Sequence, residues 1–226
     1  FGTQALYANT TGSANTALGK GALQSNTTAL NNTAVGNSAL NNNTGTRNTA
    51  VGQNSMLDNT TGGYNVALGV DSLANNTTAS DNTAVGYQSL YTNTTGTGET
   101  AVGYQALKAT TTGNANTAMG YDAGTAITTG AANTSVGVSS LGSTTTGQHN
   151  VAVGYYANYG NVSGDYNVTM GLQAGRWTTG SNNTALGYQS MFGLSGQSSA
   201  SNNTAVGSQS LFTNTTGDKN TAVGHT

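Results

Sequence analysis

A five-residue phrase, Asn-Thr-Ala-Val-Gly or a close variant, occurs thirteen times in this chain. Nine of the twelve intervals between successive copies are 17 residues, two are 16 and one is 20. The first residue of each copy, which we number position 1 of the repeat, is Asn15, Asn32, Asn48, Asn65, Asn82, Glu99, Asn116, Asn133, Asn150, Asn167, Asn183, Asn203 and Asn220. A fixed period this short indicates one small supersecondary unit stacked along an axis. The sequence therefore predicts a single continuous array over residues 1–226, with about thirteen coils.

The pattern inside each repeat is typical of a short strand. Position 3 is Ala in eleven of thirteen copies, position 4 is always Val, Leu or Met, and position 5 is always Gly. This alternation has the period of a strand, and the Gly permits a sharp bend after it. Position 9 is usually Leu or Met, and a turn of the Asn-Thr-Thr-Gly type closes the unit. Stacked coils of this kind predict an all-β parallel β-solenoid of 16–17-residue coils, rising ~4.8 Å per coil.

The two faces of the strand differ in character. Alternation places Thr at position 2 and the aliphatic residue at position 4 on one face, and Ala and Gly on the other. We interpret the aliphatic face as the core face, so that Val85 and Leu90 should be buried while Gln88 and Asn93 lie near solvent. Two aliphatic side chains per coil bury little area against an ordering cost of ~1–2 kcal/mol per residue. This favours a homotrimeric rod in which the flat Ala and Gly faces of neighbouring copies pack together.

Composition argues against most chemical functions. Only 12 of the 226 residues are charged, and they are dispersed, so no nucleic-acid or membrane partner is predicted. The chain has no Cys, its acids do not follow a calcium-binding repeat, and His149 and His225 stand alone in the sequence. We therefore predict no enzyme activity, no catalytic residue, no cofactor and no metal site. The recurring Asn-x-Thr triplets are interpreted as turn residues rather than as glycosylation sites.

Two sets of aromatic residues are candidates for ligand binding. Position 6 is Tyr in three successive repeats, at Tyr87, Tyr104 and Tyr121. A denser set coincides with a change in position 9 to Asn158 and Gly175, and comprises Tyr155, Tyr156, Tyr159, Tyr166 and Trp177. Such rings can stack against sugars, but aromatic neighbours also pack against each other along a solenoid face. At Asn158 and Gly175, as at Gly124 with Ile127 following, a large residue further along is expected to fill the core.

The repeat also resembles known fibrous proteins. Asn-Thr-Ala-Val-Gly-x-x-Ser/Ala resembles the Asn-Ser-x-Ala-Ile-Gly-x-x-Ser repeat of trimeric autotransporter adhesin heads. The longer phrase from Asn82 to Leu90, followed by Asn-Thr-Thr-Gly at 93–96, is similar to repeats of bacteriophage tail-fibre-like and bacterial surface proteins. The resemblance covers the whole chain. It implies a left-handed parallel β-roll, a homotrimer, and a location outside the cell or on a virion.

These observations favour a structural segment of an extracellular fibre, the shaft or head of a trimeric adhesin or tail-fibre-like filament. Its expected partners are two further copies, more fibre segments beyond Phe1 and Thr226, and a surface glycan or host receptor reached through a separate tip. The alternative is a solenoid that binds carbohydrate through its Tyr column or ice through its Thr column. The 20-residue interval should appear as a bulge near residues 196–201.

Overall fold

One strand of three residues forms in every repeat. A computed structural model describes residues 1–225 of the chain. Its strands are β1 Thr16–Leu18, β2 Thr33–Val35, β3 Thr49–Val51, β4 Val66–Leu68, β5 Thr83–Val85, β6 Thr100–Val102, β7 Thr117–Met119, β8 Thr134–Val136, β9 Val151–Val153, β10 Val168–Met170, β11 Thr184–Leu186, β12 Thr204–Val206 and β13 Thr221–Val223. The chain forms two compact units, of which unit 1 is Phe1–Ala115 and unit 2 begins at Asn116.

Neighbouring repeats pair in parallel within each unit. Unit 1 pairs β1 to β6 in chain order, and unit 2 pairs β7 to β13 in the same way. The register joins equivalent positions, so that Thr83 pairs with Thr100 and Ala84 with Ala101. Each coil therefore returns the chain to the same point one strand spacing further on. The predicted parallel β-solenoid with coils of about 17 residues is confirmed.

Hydrogen bonding between coils continues through the turns, and this shapes the backbone there. The amide of Leu90, for example, donates to the carbonyl of Ala106 in the next coil at 3.0 Å. Positions 7, 9 and 17 adopt left-handed backbone angles, with φ of 53° at Gln88, 51° at Leu90 and 62° at Asp81. This conformation costs a non-glycine residue roughly 1–2 kcal/mol. It recurs in nearly every coil because it directs the turn amides along the stacking axis.

The Ala side of each strand faces the interior, which reverses our assignment of the two faces. Ala84 is fully buried, whereas Val85 is only partly covered. The predicted burial of Val85 is therefore wrong, while that of Leu90 is confirmed. The physical reason is space, because the leucines of position 9 and the Ala or Ser of position 8 already fill the cross-section. Only a small side chain, Ala or Ser, occupies position 3 in the coils that have Leu or Met at position 9.

In five successive coils of unit 1, position 12 carries a buried column of asparagines, from Asn26 to Asn93, that we had expected to be solvated. Gln88 is partly exposed, but Asn93 is fully buried and the prediction for it is wrong. Nδ2 of Asn59 donates to Oδ1 of Asn43, and Nδ2 of Asn76 donates to Oδ1 of Asn59, both at 2.6 Å. Because the amide carries a donor and an acceptor, identical side chains one coil apart satisfy each other. Burial of these polar groups is thereby made possible.

A second buried asparagine column runs along position 1. The amide N–H of Asn48 donates to Oδ1 of Asn32 at 2.9 Å, and that of Asn65 to Oδ1 of Asn48 at 2.9 Å. Nδ2 of Asn48 then donates to the carbonyl of Gly62 at 2.8 Å, across the turn. The same bonds recur through unit 2. Because buried Asn-x-Thr residues such as Asn59 have their amides engaged, they are inaccessible to glycosylation once the chain has folded.

Two adjacent asparagines provide a matched test of the position-12 column. Asn43 is buried, its Nδ2 donates to the carbonyl of Gly45 at 2.8 Å, and its Oδ1 accepts from Asn59. We expect Asn43→Leu to lower the free energy of unfolding by about 3 kcal/mol, because it leaves buried polar partners unpaired. Asn42 is exposed and bonds Asp58 at the surface. Asn42→Leu should change stability by less than about 0.5 kcal/mol in the same denaturant titration; equal losses would contradict a stabilising role for the column.

The interior of unit 2 departs from the repeat at three coils. Ile127 is fully buried and fills the space left by Gly124, as predicted. At Gly175 the filling group is instead the methyl of Thr169, which precedes it and lies 2.6 Å from where a Cβ on Gly175 would be. Asn158 is fully buried in the leucine column, and neither polar atom of its side chain bonds another described residue.

The 20-residue interval is accommodated earlier than we predicted. Residues 194–197 are exposed, whereas Ser198 and Ala200 are buried. Ser198 forms a parallel bridge with Thr178, which occupies position 12 of the preceding coil. The insertion therefore loops out at 194–197, and the chain has rejoined the stack within the range 196–201 that we assigned to the bulge.

Candidate functional site: an aromatic surface

The tyrosines of position 6 follow the strand bend and point outward. In unit 1 the rings of Tyr87 and Tyr104 stack with their centroids 5.4 Å apart and their planes at 21°. Both remain more than two-fifths exposed. Tyr121, at the same repeat position in unit 2, is also exposed. Because Tyr87 and Tyr104 cover part of each other's faces, this arrangement agrees with the packing interpretation of the column.

In unit 2 the structure brings four of the predicted aromatic residues together. The ring centroids of Tyr155 and Tyr156 are 4.5 Å apart, and those of Tyr156 and Tyr159 are 4.9 Å apart. The edge of one ring then meets the face of the other where Tyr159 contacts Trp177, at 5.7 Å and 87°. Edge-to-face contacts of this kind are favourable for aromatic pairs. The result is a continuous aromatic surface across two coils.

Arg176 lies at the centre of this surface. Its guanidinium carbon is 4.8 Å from the ring centroid of Tyr156, 5.0 Å from that of Trp177 and 5.9 Å from that of Phe192. A guanidinium on aromatic faces gains a cation–π attraction. Its Nε is buried and has no hydrogen-bond partner among the described residues. We call this set the Arg176 cluster, comprising Tyr155, Tyr156, Tyr159, Arg176, Trp177 and Phe192.

Two glycines make room for the large rings of the cluster. A Cβ on Gly142 would lie 2.8 Å from the Tyr159 ring, and a Cβ on Gly160 would lie 2.6 Å from the Trp177 ring. Each glycine occupies the same repeat position as the ring that covers it, one coil earlier. Each ring therefore extends over a position that has no side chain. This fixes the orientation of both rings.

Sequence reasoning missed part of this site. Arg176 was counted only as a dispersed charge, and Phe192 was not considered. A signal was present in position 10, which holds Tyr159, Arg176, Phe192 and Phe212 in four successive repeats of unit 2. Phe192 and Phe212 stack with centroids 5.1 Å apart. Tyr166, which we had grouped with the cluster, stacks on His149 instead, at 5.0 Å.

Two further kinds of feature, metal-binding clusters and membrane-spanning helices, are absent from the part of the chain that the structure describes. Among residues 1–225 there is no group of three His, Cys, Asp or Glu side chains that could hold a metal ion. The same residues form no helix with the length and apolar character that a membrane span requires. An open concavity of about 740 Å³ at the last coil of unit 2 is lined by residues without ionisable side chains, namely Leu211, Phe212, Thr213, Asn214, Gly217, Asn220 and Ala222.

Comparison with known proteins does not place this chain in a family. No protein-family model, no curated protein and no solved structure matches the chain. The chain is thus characterised by its own architecture, an all-β parallel β-solenoid with repeats of about 17 residues.

Proposed function

We propose that this chain is a structural segment of an extracellular fibre, the shaft or head of a trimeric adhesin or phage tail-fibre-like filament that takes part in attachment. In this proposal each chain winds as a left-handed β-roll and three copies form the rod. The observation that carries it is the outward face of the strands. The repeat resemblance described above supports the same assignment.

The outward strand face is apolar, regular and free of charge. Each strand turns positions 2 and 4 away from the interior, and no repeat has a charged residue at either position. Position 4 leaves large side chains exposed, with 37% of Leu68 and 49% of Met170 accessible. In a chain with so little apolar interior, a stripe of aliphatic groups that are exposed or partly exposed in every coil indicates a surface that another protein covers.

Further copies of this chain are the occupants that fit this face best. The face repeats at the strand spacing along each unit, so a second copy presents side chains at the same interval. Three parallel copies around one axis would each turn this face inward, and the equal spacing would match one coil to one coil. The interface we propose is therefore the Thr and aliphatic face, whereas the buried Ala face is unavailable to a partner.

Light scattering on the purified chain tests the assembly. We expect a trimer, and we expect the double variant Val51→Asp with Leu68→Asp to be a folded species of lower mass, because it places charges in the interface. A matched control is Leu30→Asp with Val70→Asp, which changes two exposed aliphatic residues of unit 1 outside the strands. The control should remain trimeric. A stable wild-type monomer, or dissociation of the control alone, would contradict the proposed interface.

Surface labelling tests the cellular role. Antibodies raised against the folded chain should label filaments on intact source cells or virions, and the label should not require lysis. Labelling that appears only after the cells are opened would contradict the fibre proposal even if the chain is trimeric. The two measurements therefore examine assembly and location separately.

Ice binding is a second candidate because the Thr column is outward-facing and in register. Ten of the thirteen residues at position 2 are Thr, and they lie on the same face as the aliphatic column. A monomer that leaves this face open and depresses the freezing point of its solution below the melting point would support ice binding. A trimer without that effect would support the fibre. Carbohydrate binding by the Tyr column receives less support, since Tyr87 and Tyr104 stack on each other.

A further inference from the structure

The Arg176 cluster contains hydrogen-bond donors that the chain itself does not use. The Arg176 guanidinium is positioned by three aromatic rings, yet none of its N–H groups bonds an acceptor among residues 1–225, and its Nε is buried. Its buried Nε is removed from water without a protein acceptor, while the terminal N–H groups of the guanidinium are accessible to an acceptor from outside. An orphaned cation of this kind, held in one orientation, is prepared for an external acceptor.

A second unused donor lies beside it. Glutamines at position 7 bond along the stack, with Nε2 of Gln189 donating to Oε1 of Gln173 at 2.9 Å. The preceding coil has Tyr156 at position 7, so the column stops there and Nε2 of Gln173 bonds no other described residue. Gln173 and Arg176 belong to the same backbone turn, in which the amide of Arg176 donates to the carbonyl of Gln173 at 3.3 Å. This turn therefore carries a cation and an amide donor that the chain leaves unused.

From these contacts we infer that the Arg176 cluster binds an acidic saccharide, with Arg176 pairing with a sugar carboxylate and Trp177 stacking on a sugar ring. This inference goes beyond the structural role proposed above and does not depend on it. A carboxylate matches the planar fork of arginine and accepts two parallel hydrogen bonds. Gln173 supplies a donor for a ring hydroxyl.

Two carboxylates of unit 2, those of Asp165 and Asp218, are engaged away from this position. Oδ1 of Asp165 accepts from the backbone amide of Gln148 at 2.7 Å, and Oδ1 of Asp218 accepts from the backbone amide of Ser201 at 2.7 Å. Both acids occupy position 16 of their repeats, on a different part of the coil from Arg176 at position 10. The guanidinium is therefore available to an external anion.

The shape of the surface favours a sugar over a deep-pocket ligand. Tyr156, Tyr159 and Trp177 are half-buried, and their rings meet at 52° and 87°, so the cluster presents individual ring faces and edges at the surface. A pyranose ring has C–H groups on its faces and hydroxyls on its rim, so it can stack on an aromatic face while its rim meets polar donors. Trp177 is partly exposed, and its ring is held between Gly160 and the Arg176 guanidinium, so a sugar that pairs with Arg176 would lie beside this ring.

Trp177 also makes the binding measurable, because it is the only tryptophan in the chain. We would titrate the full chain with tetragalacturonic acid and with its fully methyl-esterified form while following tryptophan fluorescence. The acid should bind at least about tenfold more tightly than the ester, which lacks the charge but keeps the ring. Added salt should weaken the acid's binding more than the ester's.

Variants test whether Arg176 is responsible for the preference for the acid over the ester. Arg176→Gln should remove the tenfold preference, and Arg176→Lys should retain part of it because the charge remains without the fork. Arg47→Gln is the matched control, since Arg47 also lies over a ring, that of Tyr64, at 5.1 Å in unit 1. It should leave binding unchanged, and far-ultraviolet circular dichroism should show that every variant folds.

Four outcomes would overturn the inference. These are equal affinity for acid and ester, and an unaltered preference for the acid in Arg176→Gln. The other two are a loss of acid binding in Arg47→Gln as large as that in Arg176→Gln, and no fluorescence change at millimolar acid. A peptide of Asp and Glu that binds as tightly as tetragalacturonic acid would also overturn the assignment to a saccharide, because it would show that charge alone is recognised.

Discussion

Replacing Ala84 by Asp should lower the free energy of unfolding by about 4 kcal/mol or more, because it places an unpaired charge in a fully buried methyl-sized position. The added side chain also exceeds the space between the leucines and the neighbouring coils. Because each coil bonds only to the coils beside it, we expect the damage to begin around β5 and to spread along unit 1. Denaturant titration followed by circular dichroism measures the loss.

The adjacent residue provides the control for this prediction. Thr83 lies on the outward face of β5 and is partly exposed. Thr83→Asp should retain the circular dichroism spectrum of the wild type and lose less than about 1 kcal/mol, although it can weaken the association of copies. If Thr83→Asp unfolds the chain while Ala84→Asp is tolerated, the interior lies on the opposite face of the strand.

Gly86→Ala should destabilise unit 1 by about 3–5 kcal/mol. Gly86 has φ of 129°, a conformation that is essentially restricted to glycine. A Cβ at this position would also overlap the carbonyl oxygen of Gly103 in the next coil. Backbone atoms cannot move aside as a flexible side chain can, so strain and steric overlap add together. The expected readout is a lower denaturation midpoint.

Gly98→Ala is the control for Gly86→Ala. It distinguishes the strain and close approach at Gly86 from a general effect of replacing a glycine. Gly98 has φ of 69°, and the heavy atom nearest to a Cβ added there, the Cα of Ala115, would be 3.9 Å away. Non-glycine residues adopt the same conformation at this repeat position, including Asp81 and Tyr64. The change should therefore cost less than about 1 kcal/mol. A loss as large as that of Gly86→Ala would show that the close approach to Gly103 is not the cause.

The class of fold was predictable from the repeat period alone. Copies of one phrase at intervals near 17 residues can satisfy their backbone groups together by stacking in register, and the strands at Thr83–Val85 and Thr100–Val102 do so. The invariant Gly at position 5 and the buried leucine at position 9 were also predictable. Each depends on a local property, backbone freedom or large apolar area, that the sequence displays directly.

The aromatic site was predictable only in part. Tyr155, Tyr156, Tyr159 and Trp177 stood out as a dense group, and the structure brings them together. The central role of Arg176 was not apparent, because its contacts join residues 20 positions apart, from Tyr156 to Arg176, and 16 apart, from Arg176 to Phe192. Those distances become short only when the coils stack.

What the sequence by itself determined is the repeat, the strand in each repeat and the parallel stacking, because these follow from periodicity. The tertiary structure alone decided which strand face is the interior. Alternation places Ala84 and Val85 on opposite faces of the strand but does not say which face is the interior. Hydrophobicity alone would place Val85 inside, which is wrong. The cross-section of a coil this small admits a methyl group beside Leu90 and excludes a branched side chain, so the more apolar residue lies outside. The asparagines became buried for a related reason, since stacking supplies each amide with an identical partner that no single repeat contains.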